Sequence, residues 1–394
     1  MGEPYDAIVL GLGAMGSATL YQLAKRGIRA LGIDRHWPPH ALGSSHGDTR
    51  ITRLAIGEGG EYSPLALRSH EIWRDIERET GRELLATTGG LVVSSAGPRA
   101  TCHVPGFFAN TLAAAKRHGI RHELLDADGI RRRFPQFAVG DGEVGYYEHE
   151  AGFLRPEACV AAQLELARRH GAAVHRDEAV RGFEEEAGGV RVWTDRGEYR
   201  ARRLVVTAGP WLPDLLGGTW AGRFTVRRQA LFWFREKSPG GAFRPGRFPV
   251  FIWELAGHAQ PSYGFPAIDG PGGGVKIATE QHEEATTPDA VRREVGPAEI
   301  RAMFEEKVAP YFPGLSGDCV KAVTCLYTMT ADSRFVIEPH PECPGAIVAS
   351  PCSGHGFKHS AALGEALAQI VAEGESRIDL SGFGWRPRAN GARA

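Results

Sequence analysis

The stretch that most constrains this chain is residues 5–34, where a short apolar run, Ala7-Ile8-Val9-Leu10, ends in Gly11-x-Gly13-x-x-Gly16 and a second apolar run closes on Asp34. It reads as strand, glycine turn, helix, strand. The first run is apolar at every position, as a parallel strand covered on both faces requires. Gly11 then permits the tight turn, Gly13 lets a pyrophosphate approach the backbone, and Gly16 lets the following helix pack close to the strand. That helix is expected over 14–25, stopped by Gly27, and its N-terminus offers unpaired N–H groups and a positive dipole end to phosphate oxygens. Asp34, about 20 residues beyond the first glycine, stands where a ribose hydroxyl is held and disfavours a 2′-phosphate. The unit is a cradle for FAD or NAD rather than NADP.

With 394 residues the chain can build two or more domains with substantial cores. A formal net charge of −1 leaves no global field for nucleic acid or an anionic membrane. No apolar stretch approaches the ~20 residues of a membrane span. The N-terminal apolar run has no basic region before it and leads straight into the glycine turn, so it reads as a core strand and not a signal peptide. Cys102, Cys159, Cys319, Cys325, Cys343 and Cys352 form no CxxC pair, which points to reduced thiols and a cytoplasmic protein. The histidines show neither HExxH nor a Cys/His cluster, so no metal is expected. His118 and His122, four apart, read as a solvated helical face.

Residues 35–53 are polar and carry Pro38 and Pro39, which excludes regular helix or central strand. A long loop directly after a nucleotide strand is usually functional. Arg50 and Arg53 are three apart, so a helical turn would present both on one side as an anion site; a pair of surface arginines is the alternative. Leu65, Leu67, Ile72, Trp73 and Ile76 predict an amphipathic helix over 63–80. From 83 to 152 the strand-helix rhythm breaks, with a strand at 91–93 and a helix near 110–118, as an inserted second domain would. A helix follows over 154–170, then short strands at 173–175, 179–180, 190–193 and 199–201. Another buried strand begins at Leu204 and runs into Gly209-Pro210-Trp211, a second contact for the dinucleotide. Residues 224–325 are strand-rich and aromatic, with a helix at 297–308, and read as a sheet roofing the cofactor whose aromatic stripe is core. A last strand at 346–350 feeds Ser353-Gly354-His355-Gly356-Phe357-Lys358 into a helix over 360–372, again placing a helix N-terminus where an anionic ring edge or carboxylate would lie. The tail after Phe383 reads as frayed. The fold class is α/β, a Rossmann-type FAD-binding domain with an inserted, sheet-rich α+β substrate domain. The expected division is 1–85, 150–220 and 325–394 for the first, 86–149 and 221–324 for the second.

Several motifs together resemble the monomeric sarcosine oxidase and N-methyltryptophan oxidase family, flavin amine oxidases of D-amino-acid-oxidase-like arrangement. They are the glycine turn with Asp34, Pro38-Pro39-His40, Gly47-Asp48-Thr49-Arg50-x-x-Arg53, Tyr62-x-Pro64-Leu65, Cys325-Leu326-Tyr327-Thr328 and Ser353-Gly354-His355-Gly356-Phe357-Lys358. The likeness runs almost end to end. It implies FAD attached covalently through Cys325, which needs a thiol that can ionise beside cations. It implies further cofactor contacts from Met15, Arg35, Ser44, Ser45 and Thr49, then from Val180, Gly209 and Trp211, and from Gly354, Gly356, Phe357 and Lys358. By the same resemblance Arg53 and Lys358 would hold a substrate carboxylate. Arg50 would lie near the flavin, Lys276 over its reactive face to assist oxygen, and His355 and Tyr327 at active-site positions. Read alone, Lys276 would be a charge at a strand edge.

The chain departs from the family pattern at Glu280, where a His is expected four residues after Lys276, and at Ile56, where a Tyr is expected three residues after Arg53. Gly272-Gly273-Gly274 also precede Lys276 as an addition. These changes put sarcosine itself in doubt and could favour a larger or cationic amine. The implied activity is oxidation of a secondary amino acid, N-methylated or cyclic, to an imine that hydrolyses. Electrons pass through FAD to oxygen, giving hydrogen peroxide, in a monomer that binds neither nucleic acid nor membrane. Pipecolate and fructosyl-amino-acid oxidases are alternatives within the group, and an NAD-dependent dehydrogenase is the alternative from another class.

Overall fold

The computed structural model describes residues 3–95, 102–238, 240–281 and 283–385. Most of the tail expected to fray lies outside these. The strand Tyr5–Leu10 pairs in parallel with Ala30–Ile33 on one side and with Glu198–Val206 on the other. Ala173–His175 and Cys343–Ser350 extend the parallel set outward, within an eight-stranded sheet. Ala7, Ile8 and Val9 are wholly buried, as an all-apolar strand between two covered faces requires. The helix Ala14–Lys25 leaves the glycine turn and packs against Pro156–Arg169 and Ser360–Glu373. Gly364 permits that second crossing, since a Cβ there would lie 2.4 Å from the Ala18 Cβ.

A nine-stranded sheet gathers Gly90–Ser94, His122–Asp126 and Val144–Glu148 with strands from Thr225–Glu236 onward. Gly90–Ser94 joins in parallel to Val250–Glu254. Phe137, Phe248, Phe251, Trp253 and Phe312 pack ring on ring behind it, so this part of the aromatic stripe is core. The strand Leu315–Met329 pairs along most of Thr225–Glu236 and carries Cys325 and Tyr327 on one face, with Leu326 pointing the other way. Arg50–Thr52, Gly152–Leu154 and Leu85–Thr87 form a separate three-stranded sheet, with Gly152–Leu154 in the middle.

Several expectations need correction. Arg50 and Arg53 are not on a helical turn: Arg50–Thr52 is a strand that ends before Arg53, and both side chains nevertheless reach one cavity. The stretches 199–201 and 204–206 belong to one strand, Glu198–Val206, whose two halves pair with different neighbours. The helix expected from 154 begins at Pro156, because Leu154 is held in the three-stranded sheet and proline suits the first helical turn. Over 297–308 only Pro297–Met303 is α-helix, and Phe304–Val308 widens to a π-turn. His118 and His122 share no helical face, since the helix ends at Arg117 and His122 lies in a strand stacked on Tyr146. Among the described residues no helix is long and apolar enough to cross a membrane.

Candidate active site

A cleft of ≈ 460 Å³ runs along the carboxyl ends of the parallel strands, lined by Gly11, Gly13, Met15, Asp34, Arg35, Ser44, Ser45, Val180, Gly209 and Trp211. This is where an open α/β sheet binds its ligand. Gly11 has φ +80°, and a Cβ on it would meet the Thr207 carbonyl oxygen at 2.6 Å. Gly16 does not line the cleft; a Cβ there would fall 1.8 Å from the Gly11 oxygen, so its role is close packing of helix on turn. Ala14 N donates to Ser45 Oγ at 3.1 Å, tying the helix start to the loop. Asp34 lines the cleft and also accepts from Leu12 N at 2.7 Å and from His36 N at 2.8 Å, holding turn and loop together. Ser44 Oγ and Trp211 Nε1 are buried with no hydrogen-bond partner among the described residues. Such orphaned groups beside a backbone cradle fit a bound dinucleotide.

The cleft meets a second cavity, of ≈ 70 Å³, across Arg50, Tyr327, Gly354 and Phe357, which line both. Thr49, Cys325, Lys276, Arg53, His355 and Lys358 line only the smaller one, while Gly356 lines only the cleft. At the junction Arg50 Nη2 donates to Ser44 O at 2.8 Å and lies 3.4 Å from Cys325 Sγ. The loop that carries these groups is clamped from two sides. Glu157 Oε1 accepts from Gly47 N at 2.6 Å and Asp48 N at 3.2 Å, while Lys276 Nζ donates to Gly47 O at 2.7 Å and Thr49 O at 3.0 Å. Burial alone would raise the Cys325 thiol, but the charges of His46 and Arg50, with Lys276 behind them, bring it down to about 6. Burial and then the Arg50 charge push the Lys276 ammonium well below its usual range. Lys276 is no strand-edge residue. Its strand Val275–Thr279 runs between two others, and its ammonium lies 5.3 Å from the Trp233 ring centre and 4.6 Å from that of Phe265.

On the far side of the small cavity Arg53 Nη2 pairs with Glu58 Oε2 at 2.6 Å, its Nη1 donates to Ala55 O, and its guanidinium lies 4.8 Å from the Phe107 ring centre. Lys358 Nζ lies 3.5 Å from Glu58 Oε1 and donates to His355 O at 2.7 Å. Burial would raise the Glu58 carboxyl, yet Arg53 and Lys358 hold it well below the usual carboxylate range. Burial brings Lys358 down to about 8 despite Glu58. His355, bonded to Ser333 O at 2.9 Å, is pushed by burial toward its neutral form. Tyr263 and Tyr327 meet hydroxyl to hydroxyl at 3.3 Å. Behind Arg53, Glu148 accepts from Leu54 N and Ala55 N at 2.6 and 3.1 Å and so fixes the backbone that follows it.

Sequence reasoning passed over Glu58, Glu148, Glu157, His103 and Cys102. Glu157 alone left a signal, an acid directly after the proline that opens a helix. Ile56 lies wholly buried in the hydrophobic core, whereas Glu280 lines the small cavity, so only the second departure from the family pattern touches the site.

Residues 6–370 match the family described as FAD dependent oxidoreductase (DAO). The chain is 42% identical over 384 residues to monomeric sarcosine oxidase of Streptomyces avermitilis, with 97% of each chain covered. It is 33% identical over 384 residues to N-methyl-L-tryptophan oxidase of Shigella dysenteriae, with 96% of this chain and 98% of that one covered. The solved structure of NikD in its open form, an amino acid oxidase essential for nikkomycin biosynthesis, superposes with a TM-score of 0.81 over 100% of both chains at 24% identity. At that identity the likeness speaks for the fold alone.

Proposed function

The chain belongs to the family of FAD-dependent oxidoreductases, and from that premise we propose that it oxidises small secondary amino acids, N-methylated or cyclic, as a monomer in the cytoplasm. The dinucleotide is accordingly FAD and not NAD. The observation that carries the substrate class is the pairing of Arg53 with Lys358 in the wall of a small cavity that opens onto the cleft across Arg50 and Tyr327. Two buried cations on one side recognise a carboxylate, a planar fork and a point charge together. The relatives' names supply the amine, N-methylglycine or N-methyltryptophan, and the cavity's modest size favours small amino acids over sugar conjugates.

FAD would be held along the cleft by Gly11, Gly13, Asp34, Ser45 and Trp211 and would supply an acceptor for a hydride, two electrons with one proton, from the carbon next to nitrogen and for the reduction of oxygen to hydrogen peroxide, the substrate leaving as an imine that water hydrolyses. Cys325 would carry the covalent link, since its environment favours the thiolate that attachment needs. Arg53 and Lys358 orient the substrate by its carboxylate, which fixes the reacting C–H bond toward the junction. The Tyr263–Tyr327 pair, joined hydroxyl to hydroxyl, forms part of the cavity wall. Lys276 places a hydrogen-bonding amino group near Cys325 and Arg50, where negative charge would develop during oxygen reduction.

The deciding experiment joins acid precipitation to a peroxide-coupled screen. A pellet that stays yellow, with flavin fluorescence following the Cys325 peptide, and peroxide formed with N-methyl or cyclic amino acids supports the reading. Colourless protein after growth with ample riboflavin, or peroxide formed only with primary or glycated amines, refutes it.

A further inference from the structure

Cys102, His103 and Glu280 bring one sulfur, one imidazole nitrogen and one carboxylate oxygen within 4.8 Å of one another. Glu280 Oε1 lies 2.9 Å from His103 Nε2 and 3.5 Å from Cys102 Sγ. All three residues line the small cavity, and Cys102 and Glu280 are 3% and 5% exposed. They come from two distant parts of the chain, the segment before the helix Phe107–Arg117 and the residue after the strand Val275–Thr279. No other such group of three is found among the described residues.

We propose that Cys102, His103 and Glu280 form a zinc-class divalent-cation site in the wall of the small cavity, and that its occupation inhibits turnover. A tetrahedral ion with bonds of about 2.0–2.3 Å holds its ligands about 3.3–3.7 Å apart. The Cys–Glu separation already meets that spacing, the His–Glu separation needs to open by a few tenths of an ångström, and the Cys–His separation, within 4.8 Å, closes to it by rotation of the His103 ring. Thiolate with imidazole and carboxylate is a donor set for Zn²⁺ or Co²⁺, not for Mg²⁺ or Ca²⁺. Three protein ligands leave one position for water or a ligand group, and the cavity is the side from which all three are reached. On binding, the Cys102 S–H bond breaks, an Sγ–metal bond forms, and one proton goes to solvent. His103 presents its Nε2 lone pair to the ion in place of Glu280. The inhibitory half of this inference rests on the cavity being the substrate site: an ion with its water there takes up space that a substrate needs.

Binding is measured first, without turnover. The chelator-stripped holoenzyme is titrated with Zn²⁺ against a chromophoric chelator. One ion per chain is expected, and Cys102→Ser and Glu280→Gln should each weaken it by more than about 100-fold, beyond what loss of an outer partner gives. Co²⁺ in the wild-type protein should add tetrahedral bands at wavelengths longer than flavin absorbs, which keeps the inference testable if a variant fails to fold. Absence of stoichiometric Zn²⁺ binding, binding indifferent to both substitutions, or an octahedral Co²⁺ spectrum would overturn the site. If Zn²⁺ binds there, turnover should fall in proportion to occupancy and recover with chelator; unchanged turnover at full occupancy overturns the inhibition while leaving the amine-oxidase reading intact.

Discussion

Arg53 and Glu58 form a buried ion pair, 2.6 Å from Nη2 to Oε2, with both side chains all but withdrawn from water. Lys358 reaches the other Glu58 oxygen at 3.5 Å, so the two cations assigned to a substrate carboxylate already share an internal anion. An incoming carboxylate must compete with it. Removing one partner of a buried pair costs about 3–5 kcal/mol because the other charge is left uncompensated. Glu58→Gln should therefore unfold at lower temperature than wild type, and a non-reactive carboxylate should raise its melting temperature by more than it raises that of wild type. Equal ligand-induced shifts in the two proteins would show that Glu58 does not compete for the site.

Gly16 offers a test of the cradle that leaves the small cavity untouched. A Cβ at this position would overlap the Gly11 backbone oxygen at 1.8 Å, and backbone has no rotamer by which to yield. Gly16→Ala should push the helix Ala14–Lys25 off the turn and lower flavin bound per chain severely, read as visible absorbance against protein. Gly13→Ala, where the nearest atom is the movable Ser45 Oγ at 3.3 Å, should fold better yet obstruct the approach of a pyrophosphate. Full flavin content in Gly16→Ala would sink this account of the turn.

Cys325 has its thiol depressed from 9.0 to about 6, with the positive charges of His46 and Arg50 overcoming burial. Because the folded value is the lower one, the thiolate stabilises the fold in full above pH 9, and this contribution is lost as pH falls through about 6. In protein made under riboflavin limitation, alkylation of Cys325 should rise with pH around a midpoint near 6, and Arg50→Met should move that midpoint upward. Peptide mapping at each pH reads both. A midpoint unmoved by Arg50→Met would remove Arg50 as the activating charge.

The cradle was legible because its parts are local: three glycines, one apolar strand and one acid lie within a single supersecondary unit, and each performs a backbone task that only its residue type can. The helix Ser63–Thr80 was legible for the same reason, its buried residues recurring at helical spacing. The site was legible only through resemblance. Lys276 and the loop carbonyls it holds are far apart in sequence, and nothing local distinguishes a central strand from an edge. The Arg50/Arg53 spacing suggested a helical turn, but the two reach one cavity from a strand that ends between them, and the partners that make it a strand, Phe153 and Leu154, lie about a hundred residues on. Glu58 carries no pattern at all, and Glu280 stood out only as a departure from the family pattern, since an acid becomes a site residue only when the fold buries it beside cations or a histidine.

Lys276 sits between the loop that holds Arg50 and the rings of Trp233 and Phe265. Lys276→Met removes the amino group with little change in bulk, and electrostatic groups of this kind contribute on the order of 10²–10³ in rate when the developing charge is theirs to meet. Reoxidation of the reduced enzyme by oxygen should slow by about that factor, while its reduction by substrate changes far less. Stopped-flow absorbance separates the halves. Equal slowing of both would assign Lys276 to holding the Gly47–Thr49 loop instead.

Lys358 gives the site a basic limit that can be reasoned through to a sign. Its ammonium is buried, which lowers its pKa from 10.5 to about 8 in spite of Glu58. Only the protonated form attracts a carboxylate, so substrate affinity should be full below about pH 8 and decline as pH rises through that value. Arg53, pushed upward chiefly because Glu58 outweighs burial, stays charged throughout and leaves a residual attraction. The profile of kcat/KM against pH should thus carry a limb near 8 that appears in KM more than in kcat, as a group acting on binding predicts. Lys358→Arg should remove that limb, because guanidinium does not titrate in this range, and Lys358→Met should leave a flat, lower plateau. Should the limb persist near the same pH in both variants, it belongs to another group, and Lys358 is not what holds the carboxylate.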